Sequence, residues 1–440
     1  MQEVQKASPK ARAIFIQQDA DKLHVFQERR TGLMENESIL ESRKYYQRNK
    51  MLSVIRTNTD VSRNDIRKMT AYSMTTVMNT VEDMIRDGLI YEEECEEARV
   101  GRKPVWLRLN PHGGYFVGVE WNRTWMHCVV LDFTGQPVHR QRKALDDAHR
   151  CTDGLLGLIK DMVREAIRVP EGGKEKIIGI GLGVPGYSDK TKGIALSYTY
   201  FEGWKNIPVR QIIEEEFQIP CYMGNNVDVM IYAYKWLVFH GSCDDMLFIS
   251  VRTGARVMPV INNQAVSSRY GFPGELGHIR VGTGSRMCSC GRYGCLNSEV
   301  SDVAIMGKIR DGVLAGRFKG IADMIHGDTE KITMAVFREA VLAGDEDSLG
   351  LLQQASQYLG KALGILVNIF APSRIVMYGE LASIGTPFLE RLRACVERDA
   401  IPENTDILNI EVSEFGPDLG AMGAAALVLQ EAFEFLEETI

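Results

Sequence analysis

Long apolar runs, an apolar N-terminal segment and abundant cysteine are all missing from this 440-residue chain. The longest apolar stretches, such as that near residues 363–371, fall well short of the ~20 residues that span a bilayer, which argues against a membrane-spanning protein. The first residues, MQEVQKASPK, form no secretory segment, so we expect a cytoplasmic protein. Because that compartment keeps thiols reduced, a disulfide framework is disfavoured.

Three of the nine cysteines nevertheless fall within eight positions, in the run GHIRVGTGSRMCSCGRYGC. Together with a nearby histidine they make a Cys3His set, which suits Zn2+ because this ion prefers sulfur and imidazole in a closed tetrahedron. The alternative is an ordinary loop with free or disulfide-bonded cysteines. We favour a structural zinc site, and the expected ligands are His278, Cys288, Cys290 and Cys295.

Length and charge favour a small basic module on a larger acidic body. At roughly 150 residues per domain, two to three domains are expected. Residues 43–110 carry 13 Lys and Arg against 10 Asp and Glu, whereas the rest of the chain carries 38 against 48. This asymmetry, although small, is typical of a nucleic-acid-binding module attached to a larger domain.

Residues 43–110 have the element order of a winged helix-turn-helix. After a polar, irregular extension at 1–42, a helical period begins near Tyr45. Ser62 and Asp65 resemble a capping box that opens a short second helix. The residues expected on its inner face are Ile66 and Met69.

A tight turn at residues 70–72 leads to a third helix, which Ser73 can cap. Its expected inward residues are Val77, Val81, Met84 and Ile85. Two strands then flank a loop containing GRK at 101–103. The third helix would enter the major groove, and the loop cations would meet phosphates or a narrow minor groove. A helical hairpin that binds protein is the alternative. The expected DNA-binding residues are Arg63, Ser73, Thr75, Thr76, Asn79, Arg102 and Lys103.

Beyond residue 110 the pattern changes to α/β. Apolar segments at 115–121, 126–133 and 137–143 predict three strands, followed by a helix near 150–168 and a buried strand at 177–184. This order is typical of the lobes of the actin/hexokinase (ribonuclease H-like) fold. We expect one lobe at 113–240, completed by a C-terminal helix at 420–437, and a second lobe at 241–419 that holds the zinc site.

Several segments identify a family resemblance that covers roughly residues 45–435. The body segments PGELGHIRV and CSCGRYGCL are highly specific, and LGVPGY, GWKNIPV, MGNNVD and LGAMGAAAL are weaker matches. The N-terminal module at residues 43–110, called the head below, matches through SRNDIRKMTAYSMTTVMNTVEDMIRDGLI and GRKPVWLRLNP. The chain resembles the ROK family of repressors, unassigned reading frames and sugar kinases. It is most similar to the transcriptional repressors of the xylose and N-acetylglucosamine type.

The sequence departs from the kinases of this family at each nucleotide contact. Their phosphate loop Asp-x-Gly-Gly-Thr is EWNRT at 120–124, and their second loop Thr-Gly-x-Gly-x-Gly is TGARVM at 253–258. Such loops need glycines so that backbone N–H groups can approach the anion. The glycine pair that faces adenosine is Gly379-Glu380. Asn226 replaces the catalytic Asp, and a carboxamide cannot act as a general base. We expect no ATP binding and no catalytic residue; alternatively, Asn226 merely hydrogen-bonds a turn.

The resemblance implies a sugar site even without catalysis. Asn225, Glu275 and His278 match the family's sugar-binding positions, and Asn297 replaces a glutamate. An amide can still donate and accept hydrogen bonds to a hydroxyl, so a sugar pocket is retained with altered preference. Glu275 could instead be a structural carboxylate. We expect Trp204 to lie in the hydrophobic core rather than to stack on a sugar. The expected ligand-binding residues are Asn225, Asn226, Glu275, His278 and Asn297.

These features lead to the expectation of a zinc-containing, sugar-responsive regulator of carbohydrate genes, most simply a repressor, located at the nucleoid. A homodimer, or a dimer of dimers, would present two winged helices to a pseudo-palindromic operator, and a sugar between the lobes would shift their closure. One alternative is an ATP-dependent sugar kinase with a DNA-binding head. Another is a regulator controlled by docking of a sugar-transport protein.

Overall fold

The structure is a computed structural model that describes residues 36–94, 105–198, 200–239, 245–266, 273–282 and 286–433, with the backbone alone at 36–42. Contacts divide the chain into a first unit, Met1–Ser242 with Pro417–Ile440, and a second unit, Cys243–Gly416. Both divisions fall within a few residues of the lobe boundaries expected at 240 and 419.

The N-terminal part of the first unit has three helices and a hairpin. These elements are α1 (Asn36–Thr57), α2 (Arg63–Thr70), α3 (Met74–Arg86), β1 (Ile90–Glu94) and β2 (Val105–Leu109). Helix α1 begins at Asn36, so residues 36–42 are helical rather than irregular as we expected. The residues expected at the wing tip, Arg102 and Lys103, lie outside the described residues.

Local hydrogen bonds fix the ends of α2 and α3. Ser62 and Asp65 form the predicted reciprocal capping box at the start of α2. Ala71 caps the C-terminus of α2, and its φ of 58° gives the chain the left-handed turn that separates the two helices. The side chain of Ser73 then accepts a hydrogen bond from the backbone N–H of Thr76 and caps α3.

The head core confirms most of the expected inward residues and corrects one. Val77, Val81 and Met84 are buried, whereas Ile85 is only partly buried. Met69 was expected inward but is 54% exposed. Thr70 lies on the Ile66 side of α2 instead, four residues on, where it is buried and its hydroxyl donates to the Ile66 carbonyl at 2.7 Å.

The remainder of the first unit is built on a five-stranded mixed sheet in the order β10-β6-β3-β4-β5. Strands β4 and β5 are antiparallel to their neighbours, while β6 runs parallel to β3 and β10 parallel to β6. A small sheet, β7-β8-β9, is separate. The elements in chain order are β3 (Tyr115–Trp121), β4 (Trp125–Asp132), β5 (Pro137–Ala144), α4 (Thr152–Ala166), β6 (Ile177–Val184), β7 (Tyr187–Asp189), β8 (Ile194–Ser197), β9 (Lys205–Ile207), α5 (Val209–Phe217), β10 (Cys221–Asn225) and α6 (Met230–Ala233).

The second unit has its own five-stranded sheet, in the order β13-β12-β11-β14-β15, and a helical layer packed on it. Its strands are β11 (Met246–Val251), β12 (Ala255–Ile261), β13 (Gln264–Ala265), β14 (Arg374–Tyr378) and β15 (Asn409–Val412). Its helices are α7 (Asn297–Val300), α8 (Asp302–Leu314), α9 (Lys319–Met324), α10 (Met334–Leu342), α11 (Glu346–Phe370), α12 (Thr386–Asp399) and α13 (Pro402–Thr405). Among the described residues, no helix is both long and apolar enough to cross a bilayer.

The C-terminal helix α14 (Leu419–Phe433) returns to the first unit and packs on its sheet at backbone distance. A Cβ atom at Gly118 of β3 would lie 2.0 Å from the carbonyl oxygen of Ala421, and one at Gly181 of β6 would lie 1.7 Å from that of Ala424. Both contacts therefore require glycine. Because the helix itself is rich in glycine and alanine, its backbone can reach this surface.

The far end of α14 contacts helix α1 of the head. The Tyr45 hydroxyl and the Asn49 side-chain amide each donate to the carbonyl oxygen of Ala432, both at 3.0 Å. Arg56 donates to the Phe133 carbonyl at 2.6 Å and lies over the rings of Phe133 and Phe433. Burial lowers the pKa of Arg56 to about 10. The guanidinium is therefore a desolvated group whose hydrogen bond fixes the head to the body.

The close packing of α14 leads to a stability prediction. Gly181→Ala should destabilise the protein by about 3 kcal/mol or more, because the added methyl group meets backbone atoms rather than a movable side chain. Gly157→Ala, within α4, is the matched control: its Cβ meets nothing within 4 Å, and we expect a gain of about 0.5–1 kcal/mol. Thermal and urea unfolding measure both changes. Equal stability of the two variants would contradict this packing.

Candidate metal centre and effector site

Four predicted ligands converge in the second unit. Their ligand atoms all lie within 4.8 Å of one another. The Sγ atoms of Cys290 and Cys295 are 3.7 Å apart, and the Sγ atom of Cys288 lies 3.7 Å from Nδ1 of His278. A tetrahedron with metal–sulfur bonds of ~2.3 Å has edges of about 3.8 Å. The donor atoms therefore have the identity of a zinc site, and these two distances match the edges of such a tetrahedron.

Backbone geometry holds the cysteine loop in this form. Antiparallel bridges join Arg280 to Cys295 and Met287 to Tyr293. Gly294 has a φ of 78°, and its Cβ would lie 2.4 Å from the Gly282 carbonyl oxygen, so the turn before Cys295 requires glycine. The loop thus returns to His278 along a fixed path.

The protonation of the thiols also fits a cation site. Burial raises the pKa of the Cys295 thiol to about 12, while a hydrogen bond from the Arg292 backbone lowers the pKa of the Cys290 thiol. A buried thiol such as Cys295 becomes a thiolate only when a positive charge is supplied, as a divalent metal does.

His278 connects this cluster to Glu275. Its Nδ1 atom faces the cysteines, whereas its Nε2 atom lies 3.8 Å from Oε2 of Glu275. The other carboxylate oxygen, Oε1, accepts a hydrogen bond from Arg256 at 3.0 Å. A carboxylate beside the outer nitrogen of a metal-bound histidine is the usual arrangement that orients the ring. From the sequence we considered Arg256 only as a replacement for a phosphate-loop glycine. A cation at that position was the feature that could have indicated a carboxylate partner.

The side chain of Asn297 contacts the second phosphate-loop segment, residues 253–258. Its Oδ1 atom accepts a hydrogen bond from the backbone N–H of Ala255 at 2.7 Å. The side chain also lies against Gly277, whose Cβ would come within 1.9 Å of Oδ1. Asn297 was expected to bind a ligand; in the structure its side-chain oxygen is hydrogen-bonded to the backbone of Ala255.

At the first phosphate-loop segment, between β3 and β4, a side-chain oxygen likewise accepts hydrogen bonds from backbone N–H groups. Oδ1 of Asn122 accepts hydrogen bonds from the backbone N–H groups of Thr124 and Trp125, at 2.8 and 3.0 Å. Backbone N–H groups are what a phosphate loop offers to its anion. Here a side-chain amide oxygen accepts from two of them at the first segment and from one, that of Ala255, in the second.

Asn226 is buried in the first unit and is paired with a carboxylate. Its Nδ2 group donates to Oε1 of Glu120 at 3.0 Å, and the Glu120 side chain lies against Gly420 at the start of α14. Asn225 donates to the Gly186 carbonyl and accepts from the backbone N–H of Val227, both at 2.9 Å. The side chains of both asparagines therefore make hydrogen bonds within the chain, and that of Asn226 joins a distant strand residue rather than the turn that the alternative interpretation had proposed.

Trp204 belongs to the core, as we favoured. It is 2% exposed and packs edge to face against Trp121, with ring centroids 5.9 Å apart. A buried ring in this setting cannot offer its face to a sugar in water.

The structure separates the expected DNA-binding residues into two groups. Thr75 and Asn79 are exposed on α3. Ser73 and Thr76 are joined to each other through their hydroxyl oxygens at 2.8 Å, and so serve the cap. Arg63 is paired with Glu92 of β1, which neutralises part of its charge. Sequence reasoning missed Met74 and Met78, which are exposed beside Thr75 and Asn79.

Comparison with known proteins identifies the family. The ROK family model matches residues 116–431. The chain belongs to the ROK family. A xylose repressor from Caldicellulosiruptor bescii is 28% identical over 392 residues, covering 88% of this chain and 96% of the repressor. A glucokinase from Halalkalibacterium halodurans is 27% identical over 321 residues, covering 72% of this chain and 96% of the kinase.

The fold of this ROK protein is also found in a solved regulator. A ROK family transcriptional regulator, a homolog of the E. coli MLC protein, matches with a TM-score of 0.75 and 22% identity, covering 89% of this chain and 96% of that one. Apart from the N-terminal helices and hairpin, the two units therefore have the actin/hexokinase-like fold of a ROK body. Both regulator matches extend over more of the chain than the glucokinase match does.

The contact between Asn226 and Glu120 can be tested directly. Asn226→Asp should destabilise the protein by roughly 2 kcal/mol, because it replaces a buried donor by a carboxylate about 3 Å from Glu120. The loss should be smaller at pH 5 than at pH 8, since protonation of one carboxylate restores a donor. Asn122→Asp is the control, because the Asn122 oxygen only accepts. Urea unfolding at both pH values decides, and a neutral Asn226→Asp would refute the contact.

Proposed function

We propose that this ROK protein is a sugar-responsive transcriptional repressor of carbohydrate metabolism genes. The observation that carries the proposal is a helix–turn–helix with both helices capped and one face of α3 exposed. It is docked on a ROK body in which backbone N–H groups of the phosphate-loop segments donate to side chains of the chain itself. The similarity to named repressors over 88% of the chain supports it.

The head acts as a winged helix-turn-helix over residues 43–110. Helix α3 is the recognition helix, and the β1–β2 hairpin is the wing, joined to the helical part by the bridge between Val61 and Leu107. Thr75 and Asn79 contact base edges, while Arg102 and Lys103 contact phosphates. Two subunits, or a dimer of dimers, would bind a two-fold operator.

Zinc is the metal of the Cys3His centre in this proposal. His278 would hold it through Nδ1, together with Cys288, Cys290 and Cys295. When bound, the ion supplies the positive charge that keeps the thiolates deprotonated and closes the loop. Metal binding would fix the His278 ring, and Glu275 lies between His278 and Arg256. Glu275 then accepts hydrogen bonds from sugar hydroxyls.

Loss of kinase activity follows from three features of the chain. Asn226 has no proton-accepting carboxylate, and its amide is committed to Glu120. Backbone N–H groups at the two phosphate-loop segments donate to the side-chain oxygens of Asn122 and Asn297 instead of being open to an anion. The similarity to glucokinase makes an ATP-dependent kinase with a DNA-binding head the second candidate. ATP turnover with hexoses, pentoses and N-acetylhexosamines would establish that candidate; we expect none.

Helix α14 couples the body to the head. Its first turn lies against Glu120, and its last turn carries the carbonyl that accepts from Tyr45 and Asn49. A ligand that prefers one arrangement of the body shifts the population of head positions through this helix. The reason is that α14 packs so closely on Gly118 and Gly181 that it moves together with the sheet.

Operator binding titrated against a sugar panel tests the proposal. At fixed salt, the full-length protein should bind a fragment from upstream of its own gene, and one sugar should change the affinity at least fivefold, a coupling of about 1 kcal/mol. Failure to bind any such fragment would reject the repressor. Binding that responds to a sugar-transport protein but to no sugar would favour the docking alternative.

Glu275→Gln should weaken the effect of that sugar. Replacing a carboxylate that accepts from hydroxyls typically costs a charged hydrogen bond, so the sugar concentration needed should rise about tenfold or more. Glu397→Gln, an exposed position on α12, is the control and should behave as wild type. Unchanged sensitivity in Glu275→Gln would remove Glu275 from the effector site.

Removing zinc should act on the sugar response as well as on stability. Metal analysis should find one zinc per chain, and chelation or Cys288→Ser should raise hydrogen exchange in residues 275–300 and weaken the sugar effect. Cys151→Ser, at an exposed cysteine of the first unit, is the matched control. Protein purified without chelator that contains no zinc would contradict this assignment.

A further inference from the structure

Two exposed methionines occupy the middle of the proposed DNA-reading face of α3. Met74 is 40% exposed and Met78 is 36% exposed. They are four residues apart and therefore lie one above the other on the helix. Thr75 and Asn79 form a second, polar row directly beside them. The opposite face, with Val77, Val81 and Met84, is buried.

This placement is not explained by folding of the head. Single exposed apolar side chains are common on protein surfaces, but two neighbours on the first two turns of a recognition helix form a contiguous apolar stripe. Met74 follows the cap residue directly, so the stripe begins where such helices contact base edges. Helix propensity gives no reason for methionine here, since glutamine or lysine is nearly as favourable and is more soluble.

The surroundings indicate the partner. Arg67 and Lys68, in the last turn of α2, are exposed next to the turn that leads into α3. Phosphates would meet these cations and the α3 N-terminus, and Thr75 and Asn79 would meet polar base edges. The major groove offers one apolar group, the C5-methyl group of thymine. A flexible thioether side chain can adapt to such a methyl group.

We infer that Met74 and Met78 are specificity-determining residues that contact thymine C5-methyl groups in the operator. The inference rests on the proposed function of α3 as the recognition helix. It adds a statement about sequence: each half-site carries A·T pairs under the first two turns of α3, with Asn79 suited to the adenine of such a pair.

Replacing thymine by deoxyuridine removes the methyl group and nothing else. The probe is the duplex that the full-length protein protects upstream of its own gene, with each thymine of one half-site replaced in turn. At one or two thymines the wild-type affinity should fall about threefold to fivefold, the loss expected for one buried methyl group. Sensitivity at no thymine, with specific binding intact, would overturn the inference while leaving the repressor function standing.

Variants assign the effect to the two side chains. Met74→Gln and Met78→Gln keep side-chain length and helix propensity, so the head should fold with an unchanged melting temperature. Each should lose the deoxyuridine penalty at its own thymine, giving a coupling in a double-mutant cycle. Met324→Gln, a methionine 41% exposed in the second unit, is the control and should retain every penalty.

Other results would reject the inference. If the glutamine variants weaken binding equally to thymine and deoxyuridine duplexes, the methionines do not contact the methyl groups. If they instead change subunit association, measured by sedimentation without DNA, the stripe belongs to a protein contact. Absence of specific DNA binding by the wild type would reject the proposed function itself, which separates that failure from the others.

Discussion

The close contact between helix α14 and the central sheet of the first unit is the constraint on which the rest depends. Gly118 and Gly181 allow carbonyl oxygens of the helix to approach where any side chain would collide. One end of the helix thereby meets Glu120, and the other end meets Tyr45 and Asn49 of the head. A rigid element therefore joins the buried carboxylate of the body to the first helix of the head.

The positions at which the sequence led us to expect differences from ROK kinases are hydrogen-bonded within the chain. Asn122 and Asn297 accept from loop N–H groups, Asn226 donates to Glu120, and Arg256 donates to Glu275. These hydrogen bonds lie within the chain and use polar groups that would otherwise be open to a ligand or to water.

Much of this fold could be predicted from the sequence, because strand alternation, helix periods and caps are local. The capping box at Ser62, the cap at Ser73 and the metal-ligand cluster depend on residues close in sequence. Pairings such as Arg256 with Glu275 or Tyr45 with Ala432 depend on how distant segments meet, so no local sequence pattern predicts them. The error at Met69 had a smaller cause, a choice of three-residue rather than four-residue spacing on a short helix.

Hydrogen–deuterium exchange with and without the effector sugar tests the central claim most directly, namely that α14 carries the sugar signal to the head. We expect the sugar to change amide protection in residues 419–433 and in the segment of α1 around Tyr45 and Asn49, at the concentrations that alter operator binding. A sugar that alters operator affinity while protection in both segments stays constant would contradict it.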